Sequence, residues 1–110
     1  MNRQFSVIIL GAGKGTRMES AIPKVLHKIN GMPLISHVIK TSKNIGASKI
    51  VTVVGYKAEM VKETLTSSET YFALQKQQLG TGHAVLQCKP LFNNFNGNIV
   101  AMSTLAAGYI

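Results

Sequence analysis

Three glycines and three cations crowd one short stretch, Leu10-Gly11-Ala12-Gly13-Lys14-Gly15-Thr16-Arg17-Met18 followed by Pro23-Lys24. Glycines let backbone N–H groups come close to a bulky anion, and Lys14, Arg17 and Lys24 offer the charge to hold it. The combination points to a nucleoside triphosphate. Spacing excludes two better-known phosphate loops. A P-loop needs four residues between its first glycine and a Gly-Lys-[Ser/Thr] ending, whereas here Lys14 is followed by Gly15. The dinucleotide fingerprint needs a glycine where Thr16 stands and an acidic residue about 20 positions on, where this chain has Lys28-Ile29-Asn30-Gly31.

With Pro23-Lys24-Val25-Leu26 included, the string from Ile9 to Leu26 resembles the signature loop of the sugar-1-phosphate nucleotidyltransferases. Gly11 stands where that loop usually has its first alanine. A second block, Gln75-Lys76-Gln77-Gln78-Leu79-Gly80-Thr81-Gly82-His83-Ala84, is similar to the uracil-reading segment of the same family, and the two blocks stand in family-like order and spacing.

The resemblance implies a nucleotide-diphospho-sugar transferase fold and a reaction in which UTP and N-acetylglucosamine-1-phosphate give UDP-N-acetylglucosamine and pyrophosphate. It implies a nucleotide site made by Leu10, Gly11, Ala12, Gly13, Lys14, Gly15 and Thr16, with the backbone from Leu10 to Gly13 bordering the base. Arg17 would hold the pyrophosphate end and Lys24 the phosphates of the reacting pair, which makes these two the catalytic candidates. Gln75 would read the base, since a carboxamide offers a donor and an acceptor side by side to the complementary edge of uracil. Gly80 would leave room for the base and Thr81 would add a hydrogen bond. Without the resemblance, Lys14 reads as a solvated lysine and Gln75 as an exposed strand-end amide.

Transfer at an α-phosphorus spreads charge onto the departing pyrophosphate, so catalysis is mostly positioning and charge stabilisation. The resemblance implies magnesium, held by the aspartate of a Gly-Asp pair after the fourth strand. Here Met102 is followed by Ser103-Thr104-Leu105, the aligned position near Leu105 is apolar, and the sequence contains no aspartate. The main metal ligand is absent, and no residue is assigned to a metal. Losing a Lewis-acid contribution of several kcal/mol corresponds to roughly a thousandfold or more in rate. Residues 1–110 are therefore expected to be the nucleotide-binding half of such a domain, truncated before its sugar-binding half, with 103–110 an atypical tail and no catalysis alone. Two other readings stay open: a nucleotidyltransferase for another sugar phosphate or base, and a non-catalytic nucleotide-binding module.

The elements that must position these residues alternate. Phe5 to Leu10 is a near-continuous β-prone run, as in a strand covered on both faces, and it delivers the glycine loop at its carboxyl end, where open α/β sheets bind ligands. Pro33 opens a helix through Leu34, Ile35, Val38 and Ile39 that Gly46 stops. Lys49 to Val54 is a second strand, followed by a short helix carrying Met60, Val61 and Leu65, with Met60 and Val61 counted in the core. Tyr71 to Leu74 is a third strand, His83 to Gln87 starts a helix that Pro90 must end, and Asn98 to Met102 is a fourth strand. The β-α-β-α-β-α-β order predicts an α/β, Rossmann-like, mainly parallel sheet with right-handed crossovers and helices on both faces.

At 110 residues the chain is one domain at most, able to bury roughly two thirds of its unfolded surface. Lys and Arg number 12 against 4 acidic residues, a formal +8 that favours an anionic partner. The cations are scattered, without runs or interleaved aromatics, so no nucleic-acid partner is expected. Cys88 is the single cysteine and reads as a small buried hydrophobe, and His27, His37 and His83 read as surface or packing residues at no metal-ligand spacing. No apolar stretch approaches the roughly 20 residues a bilayer span needs, so no membrane partner and a cytoplasmic location are expected. The fourth strand is expected to present an uncovered edge through which the chain self-associates.

Overall fold

β1 (Phe5–Leu10) is apolar at consecutive positions because both of its faces are covered, and Val7, Ile8 and Ile9 are all buried. In the computed structural model, which describes residues 4–11, 24–77, 79–93, 95 and 97–103, β1 leads to a 3-10 turn (Lys24–Leu26). A short antiparallel pair follows, β2 (Lys28–Ile29) with β3 (Met32–Pro33), then α1 (Leu34–Asn44), β4 (Lys49–Val54) and α2 (Ala58–Thr64). β5 (Tyr71–Leu74), α3 (Thr81–Leu86), a second 3-10 turn (Lys89–Phe92) and β6 (Asn98–Ser103) complete the described chain.

β1, β4, β5 and β6 form one parallel sheet in the order β5-β4-β1-β6, the α/β architecture expected from the alternation. Val7, Ile9, Ile50 and Val54 pack with α1 and α2 on one face, while Ile8, Val51, Val53 and Ala73 pack with Ala84 of α3 and Cys88 on the other. Helices therefore cover both faces. The chain builds outward from β1 to β5 and then returns to the far side of β1 as β6. That reversal falls between β1 and β6, whose carboxyl ends are where open α/β sheets bind ligands and where the glycine loop begins.

α1 forms as its pattern demands. Pro33 sits at its N-cap with φ −54°, Leu34, Ile35, Val38 and Ile39 bury one stripe, and Gly46 leaves the helix at φ +94°. The β2–β3 hairpin is absent from the sequence reading although Asn30-Gly31 announces it. Both residues take positive φ (53° and 79°), the pairing Ile29–Met32 leaves them as a two-residue turn, and Asn-Gly is the preferred filling for such a turn. The His37 ring lies 2.6 Å from the Ile29 carbonyl oxygen and ties the hairpin to α1.

Two details differ from expectation. Met60 is 40% exposed rather than core, because α2 is only seven residues long and its inward stripe is Ala58, Val61 and Leu65. α3 ends at Leu86, before proline intervenes, and Pro90 is the second residue of the second 3-10 turn (Lys89–Phe92) instead of stopping the helix directly. β6 pairs with β1 through all six residues and, among the described residues, has no strand on its other side.

Candidate functional site

Gly11, the first residue beyond β1, is buried, and its N–H donates to the Val53 carbonyl at 3.0 Å. A Cβ there would lie 3.1 Å from both the Val53 oxygen and Ile35 Cδ1, tighter than ordinary contact. The first glycine of the loop thus answers to sheet and helix packing as well as to ligand approach. Leu10 is half-buried beside it.

Gln75 continues β5 by one residue, its N–H donating to the Val54 carbonyl at 2.8 Å. Gly11 and Gln75 therefore hang from successive residues of β4 on opposite sides, at the carboxyl edge of the sheet and about 10 Å apart by strand spacing. The Gln75 side chain is not an exposed amide. The residue is 4% exposed, and Nε2 lies 3.3 Å from the Gly80 carbonyl oxygen and 3.0 Å from His83 Nδ1.

This inward turn depends on the chain between β5 and α3. Gly80 stands before α3 at φ +101°, a conformation that disfavours any residue with a Cβ, and its carbonyl receives the Ala84 N–H at 3.1 Å. The helix then begins with exposed Thr81 and brings His83 back over Gln75. Gln87, one turn further, donates to the His83 carbonyl at 3.1 Å. Leu74, Lys76, Gln77, His83 and Gln87 line a cavity of about 410 Å³ beside this cluster. His83, expected to be a surface or packing residue, packs on Gln75 and lines this cavity; its place in the same ten-residue block as Gln75 was the available signal.

Ala12, Gly13, Lys14, Gly15, Thr16 and Arg17 lie outside the described residues, as does Leu105. Lys24 is placed by its backbone in the first 3-10 turn, between the loop and buried Val25 and Leu26. Magnesium requires oxygen donors, carboxylates above all. Among the described residues no three His, Cys, Asp or Glu side chains come together, and Glu69 is engaged by Lys43 at 2.7 Å. The Lys43 ammonium holds the exposed Glu69 carboxyl below its usual range. The described donor set does not fit the ion.

Cys88 is buried, its Sγ is 3.8 Å from the Ala84 carbonyl oxygen, and desolvation pushes its thiol up to about 11. Such a thiol is a packing residue rather than a nucleophile. A second cavity, about 610 Å³, is lined by Lys43, Lys49, Glu69 and Tyr71 at the amino end of the sheet. It lies opposite to Gly11 and Gln75, and Lys49 there donates to the Leu91 carbonyl. No helix among the described residues is long and apolar enough to cross a membrane.

Residues 7–90 match the model of the MobA-like NTP transferase domain. The chain is 46% identical over 96 residues to the bifunctional protein GlmU of Cupriavidus metallidurans, an alignment covering 87% of this chain and 21% of that protein. It thus spans about a fifth of the length of that curated relative. A nucleotidyl transferase from Methanothermobacter thermautotroptrophicus superposes with a TM-score of 0.78 at 19% identity, over 94% of this chain and 51% of that one. A UDP-glucose pyrophosphorylase complexed with UDP-glucose superposes with a TM-score of 0.66 at 25% identity, over 83% and 42%.

Proposed function

The chain belongs to the MobA-like NTP transferase domain family, and we propose that it is the nucleotide-binding part of a sugar-1-phosphate uridylyltransferase, taking UTP at the carboxyl edge of its sheet. The observation that carries this reading is the buried Gln75 carboxamide, held at that edge two strands from Leu10 and Gly11. The resemblance of the Gln75–Ala84 block to the family's uracil-reading segment supports the uridine assignment and, with it, N-acetylglucosamine-1-phosphate as the acceptor, and likeness to GlmU supports a role in cell-wall synthesis. The fold shared with a UDP-glucose pyrophosphorylase supports a uridine nucleotide in this position.

On this reading, the backbone from Leu10 to Gly13 borders the base, Gln75 and Thr81 hydrogen-bond it, and Gly80 leaves it room. Lys14, Gly15 and Thr16 follow the phosphates, Arg17 grips the pyrophosphate end and Lys24 neutralises the reacting phosphates. A charge-assisted bond is the stronger kind, and a guanidinium can make two in parallel to one phosphate. Magnesium, where bound, would supply further charge neutralisation. With no aspartate in its sequence, this polypeptide is read as binding nucleotide without completing transfer alone. β6, which among the described residues has no strand on its outer side, is read as the surface through which copies of the chain associate.

Calorimetric titration with UTP and with uridine tests the phosphate assignment. Arg17→Ala is expected to weaken UTP by about ten- to a hundredfold, the worth of a charged hydrogen bond, while leaving uridine nearly unchanged. Equal weakening of both ligands would refute the role given to Arg17.

A further inference from the structure

Gln75 carries two amide hydrogens, and protein acceptors stand in reach of both: the Gly80 carbonyl at 3.3 Å and His83 Nδ1 at 3.0 Å. A neutral imidazole nitrogen accepts only when the proton sits on the other nitrogen, here Nε2. Gln87 Nε2 lies 3.4 Å from His83 Nε2 but makes its better bond to the His83 carbonyl oxygen at 3.1 Å. The shorter contact at Nδ1 therefore decides the tautomer.

Rotating the Gln75 amide by half a turn would set Oε1 against the Gly80 oxygen and against the Nδ1 lone pair. In a residue 4% exposed, water offers little relief from such a mismatch. Both N–H groups are consumed inside the protein, and only Oε1 is left to meet a ligand.

We propose that His83 is a positioning residue which, protonated on Nε2, locks the Gln75 carboxamide with its oxygen as the free group, so that the site selects the pyrimidine whose ring N3 carries a hydrogen. Uracil offers N3–H to that oxygen. Cytosine presents an unprotonated N3, an acceptor facing an acceptor. The inference rests on Gln75 being the base reader and adds what aims it: a side chain that never touches the nucleotide sets its base preference.

The whole 110-residue chain is titrated with UTP and CTP as wild type, Gln75→Ala, His83→Phe and His83→Asn, with inorganic tripolyphosphate as a base-free control. Wild type is expected to prefer UTP by about tenfold or more, the worth of one buried hydrogen-bond mismatch. His83→Phe removes the acceptor, lets the amide turn, and brings the preference to within about threefold without changing tripolyphosphate affinity. His83→Asn, whose Oδ1 falls where Nδ1 stood, restores it. Nitrogen-15 spectra of the free protein read the tautomer directly and require no variant to fold.

A protonated Nδ1, or an unchanged preference in His83→Phe beside a collapsed one in Gln75→Ala, overturns the role of His83 and leaves the base reader standing. A wild type that binds UTP and CTP alike, or a Gln75→Ala that keeps the preference, overturns both.

Discussion

Gly80 concentrates the demands of the site in one residue. At φ +101° it aims its carbonyl at both Gln75 Nε2 and the Ala84 N–H. Gly80→Ala puts a Cβ into that conformation at about 1–3 kcal/mol, and a urea melt should show the loss as a lower midpoint. Cys88 gives a pH signature. Its thiol stands near 11 against 9.0 for the ordinary group, because the folded state favours the neutral form. Stability from this group is thus fully present below about pH 9 and lost as the pH rises towards 11, since the unfolded chain releases the proton first. Urea midpoints should fall more between pH 8.5 and 11 for wild type than for Cys88→Ala, and an equal fall in both would show that burial does not hold the thiol neutral.

At the scale of elements, the strands and α1 were legible because burial writes itself into composition. β1 and β4 are covered on both faces and so appear as near-continuous apolar runs, broken by Ser6 and Thr52, while α1 shows one stripe between Pro33 and Gly46. The hairpin escaped notice because two-residue strands carry no alternation, leaving only the Asn30-Gly31 turn to mark them. Met60 was misplaced because a helix as short as α2 has too few turns to define its stripe by pattern alone. The burial of the Gln75 side chain was not legible for a different reason: its partners lie five and eight residues ahead, and only the turn at Gly80 brings them back. These differences predict a contrast. Ile35→Ala, in the shared core of α1 and the sheet, should cost about 2–5 kcal/mol, whereas Met60→Ala should cost less than about 1 kcal/mol. Similar losses in urea melts of the two variants would contradict the packing described.

For the whole molecule, the parallel sheet sets its two ends to different tasks. The amino end carries the exposed Lys43–Glu69 ion pair beside the larger cavity, whereas the carboxyl end gathers Gly11 and Gln75. Among the described residues no strand lies on the outer side of β6, where Ile99 and Val100 are each 45% exposed and the sequence carries no charge along the strand. Concentration-dependent association is expected in sedimentation experiments, and Val100→Lys, a charge on an open edge, should reduce it. A monomer at every concentration would refute that expectation. Titrating the wild-type chain with UTP and with CTP at fixed salt decides whether the sheet's carboxyl edge is a uridine nucleotide site. Saturable one-to-one binding of UTP, tighter than CTP by about tenfold or more, is expected; no heat with UTP, or equal affinities for the two, would refute that site.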